Sequence, residues 1–270
     1  MKNPETTGLI AATYTPMHQD GSIHLDPISE YTQYLQSNNI RGVFINGTTG
    51  EGIMLTTDER KRIAQSWMKY SSDSLKRIVH VGGPSIETCK ELAIHAAGIG
   101  ADAISIMGPN FFKPPTVKEL VAFIAEIASQ VPDLPVYYYH MPAMSGVYLP
   151  MPEFLLEASR EIPNLSGLKF THSDLMEFHQ CLMAENSKFD ILHGYDETLL
   201  CGLVLGTKAA VGSTYNIMPG VYQKLMEYYH EGKIEEAREM QRISVNLVAI
   251  LKKYGGAVAC GKAVMNRLDI

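Results

Sequence analysis

Three stretches of this sequence hold side chains suited to covalent and proton-transfer chemistry. Lys169 follows the largely apolar run Leu165–Leu168, so it either projects into solvent or lies at an interior strand end. In the second case desolvation penalises the ammonium, and a lysine pKa of about 10.4 can fall toward neutrality. A neutral amine attacks a ketone and forms a Schiff base. Tyr139 ends the run Tyr137, Tyr138, Tyr139 beside a turn at Met141 and Pro142 that is able to take a cis bond. Its phenol is placed to relay a proton to or from a carbinolamine or a sugar hydroxyl. Tyr137 and Tyr138 simply suit a strand.

In the third stretch, Gly47–Gly52, small residues let backbone amides and the hydroxyls of Thr48 and Thr49 approach a carboxylate, the geometry of an anion nest. A bland tight turn is the alternative, and the phosphate-binding pattern GxxxxGK[ST] is absent. Glu51 is either a catalytic carboxylate or, the better fit, one that braces this loop by accepting backbone hydrogen bonds. Asp196 and Glu197 open a helix just after Gly194, where acidic residues offset the helix dipole. As a functional pair they would grip the hydroxyls of a polyol, with Ser213 and Thr214 adding donors and acceptors. The nine histidines include no HxH or HExxH, and no metal is assigned. His172 and His179 are seven apart and share a helix face only by accident.

These residues need elements that bring them to one place. Runs rich in Val, Ile, Tyr and Gly alternate with stretches of helical period, which predicts strands near 8–13, 41–46, 77–82, 102–107, 135–140, 165–169, 189–194 and 208–213. Helices are expected over Asp58–Tyr70, with Asp58 as cap and Ile63, Ala64 and Trp67 on one face, over Ile86–Gly98, and over Val117–Ser129 with the stripe Leu120, Phe123, Ile124, Ile127. Eight βα units of roughly 30 residues make a (β/α)8 barrel of about 240 residues, the α/β class in which chemistry sits at the carboxyl ends of the strands. An open doubly wound sheet would need a Gly-rich first turn, which Thr13–Asp20 lacks. The expected organisation is a barrel over 1–231 and a helical extension over 232–270, within one structural domain. The extension would contain a long helix over Ile234–Tyr254, bounded by Gly255 and Gly256, and a further helix over Lys262–Leu268.

Composition narrows the partners. With 46% hydrophobic and 19% charged residues, the 270-residue chain has the make-up of an ordinary globular protein. A net charge of −6 leaves no basic surplus for a nucleic-acid backbone, so nucleic acid is not expected as a partner. No run of 18 apolar residues exists to span a membrane, and residues Met1–Thr7 lack the apolar core of a signal peptide. Cys89, Cys181, Cys201 and Cys260 form no CxxC pair, and a reduced cytoplasmic protein acting on a small molecule is expected.

The GTTGEG core within Gly42–Glu59, the stretch from Tyr139 through Pro142, the triplet Gly167-Leu168-Lys169 and the spacing between them resemble the pyruvate-dependent class I aldolase family of N-acetylneuraminate lyases and dihydrodipicolinate synthases. The likeness runs from Gly8 to about Lys262, and it implies a (β/α)8 barrel with C-terminal helices, assembled as a homotetramer. Members that make dihydrodipicolinate place an arginine two residues after the proline of the tyrosine motif, where this chain has Met144. The segments YYYHMPAMSGV (137–147), GLKFTHSDL (167–175), GYDE (194–197) and GSTYN (212–216) are instead similar to the lyase branch, and to its animal members in particular.

That resemblance implies reversible cleavage of N-acetylneuraminate to N-acetylmannosamine and pyruvate. Carried over by position, it implies that Lys169 forms the Schiff base, Tyr139 handles the proton transfers, and Thr48 and Thr49 bind the pyruvate carboxylate. Gly194, Asp196, Glu197 and Ser213 would hold the sugar, with Thr171 nearby. No cofactor is implied. The rival readings are another 2-keto-3-deoxy sugar acid aldolase of the same family and a catalytically inactive barrel that binds sialic acid or pyruvate. Many bacterial relatives carry a tyrosine after the fourth strand that reaches into a neighbouring subunit, whereas Pro109–Lys113 has none, so a relay across subunits is not carried over. Family members usually run further at the C-terminus, and a short extension is expected.

Overall fold

Short runs of branched and aromatic residues become strands because each is buried on both faces, the outer one under the alternating helices and the inner one against side chains of the barrel interior. The computed structural model describes residues 6–72, 74–268 and 270. In chain order the elements begin with β1 (Gly8–Ala12), α1 (Ile28–Ser37), β2 (Gly42–Ile45), α2 (Thr57–Tyr70), β3 (Lys76–His80), α3 (Ile86–Gly98), β4 (Ala103–Ile106) and α4 (Val117–Ala128). They continue with β5 (Val136–His140), α5 (Pro142–Ser145), α6 (Met151–Glu161), β6 (Leu165–Phe170), α7 (Leu175–Ser187), β7 (Asp190–His193), α8 (Leu199–Leu205) and β8 (Ala209–Gly212). Three further helices follow: α9 (Pro219–His230), α10 (Ile234–Lys253) and α11 (Ala257–Arg267). The eight strands are hydrogen-bonded in sequence order as a closed barrel, the expected (β/α)8 fold with its helical extension.

The chain divides into two compact units, one made of Thr6 with Ile78–Gly194, the other of Thr7–Arg77 with Tyr195–Ile270. In the first unit, β4 to β7 pair in parallel, and α4, α6 and α7 cover them with buried side chains such as Ile124, Phe154 and Phe178. Tyr137 is structural, its hydroxyl donating to Asp190 Oδ2 at 2.8 Å. Gly167 and Asp190 are register partners on β6 and β7, and a Cβ on Gly167 would lie 1.8 Å from the Asp190 carbonyl oxygen. Only glycine permits that strand spacing, two residues before Lys169.

In the second unit, Trp67 of α2 packs edge-on against Tyr31 of α1 with ring centroids 5.2 Å apart. The Tyr31 hydroxyl donates to Asn216 Oδ1 at 2.5 Å, and Asn216 Nδ2 donates to the carbonyls of Ala12 and Ser213. One asparagine thereby fastens α1, β1 and the segment after β8. Ile63, Ala64 and Trp67 face the core as the periodicity requires. The cap of α2 is not Asp58 but Thr56, which has the extended backbone a cap needs and forms a reciprocal capping box with Glu59. Asp58 sits inside the first turn, where its charge meets the helix dipole. The last helix begins at Ala257, five residues before the expected Lys262.

Gly167→Ala should lower stability by at least about 2 kcal/mol in urea unfolding, because the added methyl forces β6 from β7. Gly220, at the second position of α9 with open space around it, is the control, and Gly220→Ala should be neutral or stabilise by up to about 1 kcal/mol. Equal effects of the two substitutions would remove the spacing argument.

Candidate functional site

Parallel pairing of β5 with β6 sets Tyr139 opposite Lys169. Both strands are inside the sheet, and side chains on one face recur every second residue. Tyr139 and Lys169 therefore share a face, while His140 and Phe170 share the other. Lys169 is only 4% exposed, the one buried lysine among the described residues, and Tyr139 is 2% exposed. The Lys169 Nζ stands 3.8 Å from the centroid of the Tyr139 ring. Burial and the ring face together replace the water that would surround an exposed amine. His80, at the end of β3, meets the same ring edge-on at 5.5 Å.

The Tyr139 hydroxyl donates to Met141 Sδ at 3.1 Å. A thioether is a weak acceptor, so a stronger oxygen acceptor from a ligand would displace it readily. The sulfur is held by a fixed turn: Pro142 starts α5, Ser145 Oγ donates to the Met141 carbonyl at 3.0 Å, and Gly146 ends the helix at φ 69°. The left-handed backbone there favours glycine. The peptide before Pro142 is trans. Sequence reasoning assigned Met141 no role, and its place two residues beyond Tyr139 was the available signal.

Thr171 continues β6, its amide donating to the His140 carbonyl at 2.8 Å. Its hydroxyl is buried and has no hydrogen-bond partner among the described residues. Gly194, after β7, makes room for it, since a Cβ there would fall 2.1 Å from Thr171 Oγ1. Thr171 and Gly194 thus pack closely in the same unit as Lys169 and Tyr139.

The other expected site residues lie in the second unit. Thr48 is exposed and Thr49 half-buried in a loop where Asn46 and Glu51 take left-handed conformations at φ 59° and 57°. Within it the Glu51 amide donates to the Thr48 carbonyl and the Gly52 amide to the Gly47 carbonyl, so these two amides are spent inside the loop and do not form an anion nest. Glu51 is likewise not held by backbone donors, as the sequence suggested: its carboxylate meets Lys262 Nζ of α11 at 2.5 Å.

Asp196 is buried, and its Oδ2 accepts from the Thr214 amide at 2.8 Å and the Thr214 hydroxyl at 2.5 Å. Gly212 has no Cβ because one would lie 1.8 Å from Asp196 Oδ1. This carboxylate fastens the turn after β8, in which Ser213 stands half-buried. Glu197 is half-buried and lies 3.4 Å from Lys252 Nζ of α10. Burial pushes the Tyr222 phenol up, with the Asp196 charge adding to it, which keeps neutral the hydroxyl in contact with Thr214 and Ser244.

The chain matches the dihydrodipicolinate synthetase family over residues 5–270. It is 42% identical over 266 residues to the N-acetylneuraminate lyase of Danio rerio, spanning 97% of this chain and 87% of that one. The native structure of the N-acetylneuraminate lyase (sialic acid aldolase) from Aliivibrio salmonicida superposes with a TM-score of 0.96 at 40% identity, covering 99% of this chain and 89% of that one. A catalytic-lysine mutant of the Ruminococcus gnavus sialic acid aldolase superposes with a TM-score of 0.87 at 29% identity, covering 92% and 81%.

His140, behind Tyr139, is 1% exposed, and burial holds its imidazole down to about 3, helped by the nearby His172. Its 4.0 Å approach to Glu177 is therefore not an ion pair. The unfolded chain takes up this proton near pH 6.5 and the folded chain does not, so stability falls as pH drops from about 6.5 toward 3, by at most about 1.4 kcal/mol per unit. Comparing urea unfolding at pH 7 and pH 5, His140→Gln should show a smaller loss than the parent. An unchanged loss would mean that His140 is not the group responsible.

Proposed function

Because the chain belongs to the dihydrodipicolinate synthetase family, we propose that it is a Schiff-base aldolase that reversibly cleaves N-acetylneuraminate to N-acetylmannosamine and pyruvate. The observation that carries this reading is the buried amine of Lys169 against the Tyr139 ring at 3.8 Å. The 40–42% identity to proteins named for this activity supports the choice of substrate, as does Met144 where an arginine would suit a second carboxylate.

The Lys169 amine adds to the C2 ketone of the open-chain sugar acid, and loss of water from the carbinolamine leaves a protonated imine. The C3–C4 bond then breaks, its electron pair flowing into the iminium to give an enamine while the C4 hydroxyl loses its proton and becomes the aldehyde of N-acetylmannosamine. Tyr139 handles that proton, directly or through the substrate carboxylate, once its hydroxyl has left Met141 Sδ. Protonation of the enamine at C3 and addition of water to the resulting imine release pyruvate and restore the amine.

Thr48 and Thr49 bind the keto-acid carboxylate. Thr171, Gly194, Asp196, Glu197 and Ser213 serve the sugar portion, Thr171 through its buried hydroxyl and Asp196 by holding the Thr214 turn. The family resemblance supports a homotetramer, and four cysteines without disulfides suit the cytoplasm.

Lys169→Ala should abolish cleavage of N-acetylneuraminate while the protein still folds. Tyr139→Phe should lower kcat by about 10²- to 10⁴-fold with the KM for pyruvate little changed. Thr48→Val should raise the KM for pyruvate in the condensation direction. Cleavage by Lys169→Ala at the parent rate would refute the Schiff-base reading.

A further inference from the structure

We infer that Lys262, on α11, is a positioning residue for keto-acid binding: through its ion pair with Glu51 it fixes the loop that presents Thr48 and Thr49. The inference rests on the proposed role of those threonines at the carboxylate. Glu51 is the residue on which the loop turns. It holds a left-handed backbone at φ 57°, which a side chain rarely adopts, its amide closes onto the Thr48 carbonyl at 3.0 Å, and its carbonyl accepts from the Met54 amide at 2.8 Å. A carboxylate anchored at its far end keeps that conformation populated.

The anchor is close and partly dry. Glu51 Oε1 and Lys262 Nζ are 2.5 Å apart, with the two side chains 25% and 24% exposed, so solvent and salt screen the pair less than a surface one. Lys262 is itself located: its Nζ also lies 3.3 Å from Met17 Sδ. The helix that carries it is fastened to the segment after β1, where the Tyr14 hydroxyl donates to the Ala257 carbonyl at 3.2 Å. At Gly261, next to Lys262, a Cβ would fall 1.9 Å from that same hydroxyl, so the helix can sit this near only with glycine there. The loop is steadied on its other side by Thr15, whose hydroxyl donates to the Gly50 carbonyl at 2.7 Å. Lys262 thus couples the last helix to the loop.

Steady-state condensation kinetics on the full chain, with pyruvate varied at saturating N-acetylmannosamine, test this. Lys262→Met should raise the KM for pyruvate about tenfold, roughly 1.4 kcal/mol, with kcat changed by less than about threefold. Lys262→Arg, which keeps the charge, should restore most of the affinity. Glu51→Gln should reproduce the KM effect, and the double variant Glu51→Gln with Lys262→Met should be no worse than either alone. If Lys262→Met does not fold, Glu51→Gln with Lys262→Arg carries the same comparison. An unmoved KM in Lys262→Met or Glu51→Gln, while Thr48→Val raises it, overturns the positioning role and leaves the aldolase reading standing. An unmoved KM in Thr48→Val as well overturns the carboxylate role on which the inference rests. Equal damage in the Arg and Met variants would show that α11 is merely structural there.

Discussion

The register of β5 against β6 decides what this barrel can do. Parallel strands expose every second side chain to the same face, so pairing Tyr139 with Lys169 commits both to one side and sends His140 and Phe170 to the other. A slip of one residue would bury the imidazole against the amine's surroundings and turn the phenol into the helix layer. The strands around this pair are packed through two glycine-sized gaps: Gly167, which lets β7 close on β6, and Gly194, which accommodates the Thr171 hydroxyl.

The polar groups of the second unit are arranged differently. There the acidic side chains hold loops in place: Asp196 holds the Thr214 turn, Glu197 meets Lys252, and Glu51 meets Lys262. A ligand is recognised well only by groups that do not have to be ordered at the moment of binding. Carboxylates fixed to helices α10 and α11 give short loops that order beforehand, which explains why an extension following the eight βα units matters to the segments after β2 and β7.

Much of the fold was legible because its signal is local. The alternation of strand and helix periods placed all eight strands within about two residues and fixed the barrel. Lys169 and Tyr139 stood out because a charged or hydroxylated side chain ends each apolar run. What escaped was long-range or geometric. No periodicity announces that Lys262 reaches Glu51, that Thr214 occupies the Asp196 carboxylate, or that the phenol of Tyr139 rests on Met141 sulfur. The cap of α2 was misplaced by two residues because Asp58 and Thr56 have the same capping chemistry, and only the extended backbone at Thr56 separates them.

The most direct test is to incubate the protein with pyruvate and borohydride, digest it, and locate the reduced adduct by mass spectrometry. A pyruvyl adduct confined to the peptide that carries Lys169 is expected. An absence of adduct, or an adduct on another lysine with Lys169 unmodified, would contradict the assignment of this buried amine as the covalent centre.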